Sequence, residues 1–379
     1  MCKAIINANV VTPNGIVFDG IVVVKDNRIY DVTKNASDIP EGAEVIDANG
    51  AYVGPGFVDI HVHGRGAYAT YDADAKVAEE FLRHGTTTLL ATPYYSQNFE
   101  TILQAIADAK EAMKKSSVIK GLYLEGPYTS PYYGANQDTN PWRHGLVPEE
   151  YKAIVDACGK DVKVWTIAPE LEGMDGFLAY AREVNPDVVF ALGHSEANPE
   201  EVEALGKYRP TIMTHTMNAT GRRKVLAGTR GYGPDEYCFS TPDMYAELIC
   251  DSYGMHVNAM LQRMLLKIKG YEKVVLVTDS TAIEAPSPEH LAHITDLNFD
   301  HNGDLNGSQL TMDQACKNIM SHTSCGIAQA FAMASLNPAK AVHMDDEIGS
   351  IEKGKIADLV FVDDRFNVLK VMTGGKIYE

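Results

Sequence analysis

The chain has 379 residues, 45% of them hydrophobic and 22% charged, which suits a soluble globular protein with one large barrel-type domain and an appendage. A formal net charge of −18 argues against nucleic acid or an anionic membrane as partner and requires any anionic substrate to be met by a local basic pocket. No apolar run approaches the ~20 residues of a membrane span, the opening MCKAIINANVV lacks the layout of a secretory leader, and the six cysteines include no Cys-x-x-Cys, so a reduced, cytoplasmic setting without a thiolate metal site is expected.

Residues 1–55 read as short strands with tight turns, among them AIINANVVT and GIVFDGIVVVKDNRIYDV, separated by signals such as Pro13-Asn14-Gly15 and Asp26-Asn27. The C-terminal stretch GSIEKGKIADLVFVDDRFNVLKVMTGGKIYE has the same character. Two β-rich ends around an α/β middle predict a small β-sandwich domain built from both termini, 1–55 plus 345–379, flanking a domain over 56–344.

The middle alternates. Apolar, β-branched runs fall at 57–63 (FVDIHVH), 86–92 (TTTLLAT), 120–126 (KGLYLEG), 162–169 (VKVWTIAP), 188–194 (VVFALGH), 211–216 (TIMTHT), 246–251 (AELICD) and 273–279 (KVVLVTD). Helix-like stretches such as FETILQAIADAKEAMKKS and MDGFLAYAREVN lie between most of them. Eight strands alternating with helices predict a (β/α)8 TIM barrel, with a doubly wound open sheet as the alternative.

The polar residues choose between the two. In GFVDIHVHG, residues two apart on a strand share a face, so Phe57, Asp59, His61 and His63 point one way and Val58, Ile60 and Val62 the other. Glu125 ends the third run, His194 the fifth, His215 the sixth and Asp279 the eighth. A closed barrel brings these ends to one mouth, where barrel active sites lie; an open sheet spreads them apart.

Each residue alone has a structural reading: buried histidines bonded to carbonyls, Glu125 or Asp279 capping a turn or helix. Together they make one site. His61, His63, Glu125, His194 and His215 form a nitrogen and oxygen donor set suited to zinc, iron(II), cobalt or manganese, as one or two ions. Asp279 is the candidate proton shuttle beside it. His256, directly after the seventh run, is a candidate substrate contact, whereas His84, His144, His290, His293, His301, His322 and His343 read as solvated side chains.

The segments GPGFVDIHVHG, LEGPYTSP, GHSEA, THTMNAT, GMH, LVTDS, GDLNGSQLTM and GSIEKGKIADLVFVD resemble the amidohydrolase superfamily, and within it the N-acetylglucosamine-6-phosphate deacetylases. The resemblance implies metal-dependent hydrolysis of the acetamide of N-acetylglucosamine 6-phosphate, with N-acetylgalactosamine 6-phosphate or another N-acyl amino sugar as the alternative substrate. It implies metal ligands at Glu125, His194 and His215, an additional pair at His61 and His63, and acid/base catalysis by Asp279. Substrate contacts are implied at Asn218, Ala219, Arg222, His256, Leu305, Asn306 and Gly307, with Arg222, the first cation of TGRRK (Arg222, Arg223, Lys224), on the sugar phosphate. A homodimer is implied as well.

Three departures touch the substrate pocket and none the metal set. Asn136, expected at the substrate as well, stands where the family usually has a substrate-contacting histidine, the residues around Asn218 differ, and DSYGMH is two residues longer than usual. A catalytically silent relative is the reading from another class; such a chain is expected to have lost part of the ligand set, and every position is present.

Overall fold

The computed structural model describes residues 2–223 and 226–378; Lys224 of the basic segment lies outside the described residues. Eight parallel strands form the centre: β1 (Phe57–Val62), β2 (Thr86–Ala91), β3 (Ile119–Leu124), β4 (Val162–Ile167), β5 (Val189–Leu192), β6 (Ile212–Met213), β7 (Tyr245–Ile249) and β8 (Val274–Val277). They pair in sequence order. The seam between the last and the first is closed just past β8, where Asp279 N donates to His61 O (3.0 Å) and His63 N to Ser280 O (2.8 Å). A buried side-chain bond reinforces it, Thr278 Oγ1 donating to Asp59 Oδ2 at 2.5 Å. Burial pushes the Asp59 carboxyl up to about 7, against the Thr278 bonds that favour its charged form.

Several strands are shorter than the sequence pattern suggests, and the reason lies in the residues that end them. The fifth run stops at Leu192, the sixth at Met213 and the eighth at Val277. His194 (φ 44°), His215 (φ 25°) and Asp279 (φ 47°) then leave strand geometry for the left-handed region, which non-glycine residues seldom occupy. These three polar residues therefore sit two residues past their strands, on turns that aim them across the mouth.

The chain ends form a second, separate sheet. Five strands come from the N-terminal side (Cys2–Thr12, Gly15–Lys25, Arg28–Thr33, Glu44–Asp47, Tyr52–Pro55) and three from the C-terminal side (Leu359–Val362, Val368–Thr373, Lys376–Tyr378). Tyr52–Pro55 joins the two halves, pairing parallel to Cys2–Thr12 and antiparallel to Leu359–Val362. Ile5, Val10, Val22, Val53, Leu359, Phe361 and Met372 make their shared core. The C-terminal contribution of strand starts at Leu359, with an isolated bridge from Ile356 to Arg28 ahead of it.

The sheet is fastened to the closed end of the barrel by three buried rings. Phe57, which opens β1, lies 5.8 Å from Phe331 and 5.9 Å from Phe366, and the last two are 5.0 Å apart. Gly54 has no room for a Cβ, which would collide with Phe331 Cε1. Truncating a fully buried phenylalanine costs roughly 3–5 kcal/mol through lost transfer energy and the cavity left behind. Phe331→Ala is thus expected to move the denaturation midpoint down by a shift of that order, while turnover at room temperature stays near wild type because the opposite end of the barrel is untouched. An unchanged midpoint would show that the rings do not hold the two units together.

Candidate active site

Six side chains meet at the mouth. Glu125 lies at the centre: its Oε1 is 2.7 Å from His194 Nε2 and 2.9 Å from His215 Nε2, and its Oε2 is 3.1 Å from His63 Nε2. His61 Nε2 is 3.5 Å from Glu125 Oε1. Asp279 Oδ1 approaches His63 Nε2 at 3.2 Å and His61 Nε2 at 3.7 Å. The donor atoms fall into two adjoining sets, Glu125–His194–His215 and His61–His63–Asp279, each within 4.8 Å. Asp279 thus belongs to a possible ligand set as well as standing where a shuttle is needed.

The outer ring nitrogens determine what the inner ones offer. His63 Nδ1 faces Thr92 O (2.9 Å), His194 Nδ1 faces Tyr133 O (3.1 Å) and His215 Nδ1 faces Asn218 O (3.2 Å). A carbonyl only accepts, so each Nδ1 carries the proton and donates. His61 Nδ1 donates to the fully buried carboxylate of Glu247 at 3.1 Å. In the neutral rings all four Nε2 atoms are then lone pairs aimed at one another and at carboxylate oxygens; His194 Nε2 and His215 Nε2 are only 3.0 Å apart. Neither His61 Nε2 nor His63 Nε2 makes a hydrogen bond among the described residues. Such an arrangement is repulsive unless positive charge sits at its centre, so the residues fit a divalent transition ion.

The electrostatics point the same way. Burial pulls the His63 imidazole down, but Asp279 and Glu125 outweigh it and hold it up to about 9. His61, against the same pull, is raised by Glu125 and Asp279. Glu125 is held well below the usual carboxylate range, despite its burial, by His194, His61 and His215. Asp279 is lowered too, against burial, mainly by His61 and His63.

The pocket in front of the cluster is walled by Tyr94 and Tyr95 after β2, Gly134 and Ala135 after β3, Asn218 and Ala219 after β6, and Leu305 and Gly307 after β8. Four of the expected substrate residues, Asn218, Ala219, Leu305 and Gly307, are among them. The other four are not. Asn136 (φ 53°) lies behind Ala135, its backbone N donating to Asp300 Oδ2 at 3.3 Å. Asn306 is turned away, engaged with the Tyr94 hydroxyl and with Glu284. His256 spans Asp251 Oδ2 (3.0 Å) and Gly307 O (3.1 Å), which makes it a prop for the Gly307 backbone. Arg222 is 42% exposed, its Nε 3.2 Å from Glu236 Oε1.

Sequence reasoning did not single out Glu247, Tyr94, Tyr95 or Tyr123, whose ring stacks on His61 at 4.5 Å. A carboxylate inside the apolar run AELICD was a usable signal for Glu247, because a charged residue on a buried strand needs a partner. The tyrosines gave a weaker one: two aromatic residues directly after a barrel strand, on the mouth side.

Residues 52–378 match the Amidohydrolase family. The N-acetylglucosamine-6-phosphate deacetylase of Haemophilus influenzae is 28% identical over 399 aligned positions, covering 99% of this chain and 99% of its own length. The N-acetylgalactosamine-6-phosphate deacetylase of Escherichia coli O157:H7 is 26% identical, covering 89% of this chain and 90% of its own. A solved structure of a mutant N-acetyl-D-glucosamine-6-phosphate deacetylase from Mycobacterium smegmatis, in complex with N-acetyl-D-glucosamine-6-phosphate, superposes with a TM-score of 0.83 at 25% identity over 99% of both chains. The family match runs through the whole barrel and on through the C-terminal strands, and the chain belongs to the amidohydrolase family.

Proposed function

We propose that the chain hydrolyses the acetamide of N-acetyl-D-glucosamine 6-phosphate to glucosamine 6-phosphate and acetate. The observation that carries the reading is the convergence of four imidazole Nε2 atoms on Glu125, with Asp279 beside them and one open side toward the pocket. Full-length similarity to amino-sugar phosphate deacetylases supports the substrate class. N-acetylgalactosamine 6-phosphate is the second reading, favoured by the relative that acts on that epimer.

Glu125, His194 and His215 would hold a divalent ion, zinc by preference, with His61, His63 and Asp279 able to take a second. When bound, such an ion supplies Lewis acidity to the amide carbonyl and lowers the pKa of water toward ~7. Asp279, lowered and therefore ionised at neutral pH, takes a proton from the attacking water. It then passes that proton to the amide nitrogen as the C–N bond breaks, so that the amine leaves neutral and acetate keeps the new oxygen. Glu247 and the three backbone carbonyls keep the histidines in one tautomer throughout.

A cytoplasmic homodimer is the proposed physiological form. Among the described residues no helix is long and apolar enough to cross a membrane. Met260, Met264 and Ile268 form an exposed apolar stripe on helix Ala259–Lys269, continuous in sequence with exposed Tyr253 and Met255, which supports a subunit contact.

Acetate release from N-acetylhexosamines with and without a 6-phosphate tests the reading directly; no release from any of them overturns it. Asp279→Asn is expected to lower kcat by ~10²–10⁴, and retention of more than about a tenth of wild-type turnover would remove Asp279 from the shuttle role.

Chelation is expected to abolish activity and zinc or another divalent transition ion to restore it. His194→Ala and His215→Ala should each cut bound metal as measured by elemental analysis, and His61→Ala or His63→Ala should cost less if their set is accessory. Full occupancy in His194→Ala would contradict the ligand assignment.

For the phosphate, Arg222 is the proposed grip, exchanging Glu236 for the ester. A charged hydrogen bond of that kind is worth roughly 1.5–3 kcal/mol, so Arg222→Ala should raise KM for the phosphorylated sugar about ten- to a hundredfold and leave the unphosphorylated sugar unchanged. Equal KM effects on both sugars would exclude phosphate recognition by Arg222.

A further inference from the structure

Among the described residues, Tyr94 and Tyr95 are the only six-membered aromatic rings that wall the pocket. They stack on each other at 5.1 Å with 21° between their planes. Tyr94 stands edge-on to His63 at 4.8 Å, and Tyr95 lies 5.2 Å from the His194 ring. The pair therefore touches both ligand sets.

Neither ring is free to move. The Tyr95 hydroxyl donates to Ala135 O, and the Tyr94 hydroxyl donates to Asn306 Oδ1, so one tyrosine is tied to the loop after β3 and the other to the loop after β8. Both are buried, 7% and 4% exposed. The backbone of Gly134 (φ 97°) fills the corner between Tyr95 and His194: a Cβ there would lie 2.6 Å from His194 Cε1 and 2.8 Å from the Tyr95 hydroxyl. This wall has no slack on its far side.

The chemistry decides which part of the substrate meets it. This step rests on the deacetylase reading. Asp279 must reach the leaving amine, so the amine and the sugar lie on the Asp279 side of the ligand cluster, with Leu305 and Gly307. Asp279 follows β8, whereas His194 follows β5, three strands away round the barrel. The acyl carbon's remaining substituent, the methyl of the acetyl group, points away from the amine, toward His194 and the ring that leans on it. We infer that Tyr95, backed by Tyr94, is the acyl-side wall of the pocket and sets the size of acyl group the enzyme removes. The class of substrate follows: N-acetyl amino sugars, with longer N-acyl chains excluded by a fixed aromatic surface rather than by the metal ligands.

The test is an acyl series on one sugar: N-acetyl-, N-propionyl- and N-butyrylglucosamine 6-phosphate, with kcat/KM for acid release by the metal-loaded enzyme. A wall that cannot retreat should make wild type at least about tenfold slower on the propionyl than on the acetyl compound, the usual discrimination for one added methylene being ~10–200-fold. Tyr95→Ala and Tyr95→Leu should bring the ratio down to about threefold or less, with the gain on the longer chains. Tyr95→Phe keeps the ring and loses only the bond to Ala135 O, so it should keep the wild-type ratio. Wild type cleaving the butyryl compound as well as the acetyl one would overturn the inference without any variant. So would Tyr95→Ala or Tyr95→Leu lowering all three substrates alike. Those outcomes leave the deacetylase reading intact, whereas no acid release by wild type from any of the three removes that reading and the wall with it.

Discussion

Four N–H groups pointing outward from the barrel mouth govern the rest of this structure. Because Nδ1 of His63, His194 and His215 faces a backbone carbonyl and Nδ1 of His61 faces Glu247, every Nε2 lone pair is turned inward. The acceptors are not interchangeable decorations. Thr92 O follows β2, Tyr133 O belongs to the loop after β3, and Asn218 O lies three residues beyond His215. Each carbonyl can orient its ring only if its loop takes one conformation, so the donor set and the pocket walls form a single unit. The loop that orients His194 through Tyr133 is also the loop that brings Gly134 and Ala135 into the pocket.

Such a mouth is costly to fold. Four buried carboxylates (Asp59, Glu125, Glu247, Asp279) and four buried histidines occupy the place where a barrel of this size would otherwise be filled by aliphatic layers. Three of the functional residues also hold positive φ, a conformation that costs a non-glycine residue on the order of 1–3 kcal/mol. The compensation lies at the opposite end, where Phe57, Phe331 and Phe366 join the barrel floor to the terminal sheet and the surrounding strands bury near-continuous Val, Ile and Leu. Polar strain at one end and apolar packing at the other is the usual division of a barrel into a chemical and a stabilising face.

Much of this was legible in the sequence because two periodicities coincide there. The apolar runs announced the strands, and the positions at which those runs turned polar announced the mouth; His61, His63, Glu125, His194, His215 and Asp279 were found that way and lie together. What was hidden depended on contacts between distant loops. Glu247 looks like one polar residue in a strand until His61 Nδ1 is seen against it. Asn306 sits between two pocket residues with its side chain engaged by the Tyr94 hydroxyl, and His256, held by the Asp251 carboxylate, reaches the pocket only through the Gly307 carbonyl it props. Strand lengths were overestimated at β5, β6 and β8 because no pattern of hydrophobicity reveals that a histidine or an aspartate will adopt positive φ.

Charge settles how an anionic substrate can be received. The chain carries −18, and among the described residues no lysine or arginine walls the pocket. An ion held by Glu125 and the histidines would offset the local carboxylates and, on the proposed reading, serve the acetamide end. A phosphate must therefore be met at the rim. The arginines that follow β6 are already matched: Arg222 with Glu236, and Arg223 with Glu201 at 2.6 Å. Arg230 shares Glu236 with Arg222, approaching the same oxygen at 3.0 Å. The phosphate binding proposed for Arg222 would be an exchange of one anion for another, its net gain the difference between a divalent, three-oxygen acceptor and a half-exposed single contact to a carboxylate already shared with a second arginine. Because Arg230 also holds Glu236, the proposed exchange at Arg222 would not strand a carboxylate, and a local arginine would then receive a phosphate in a protein whose overall field repels it.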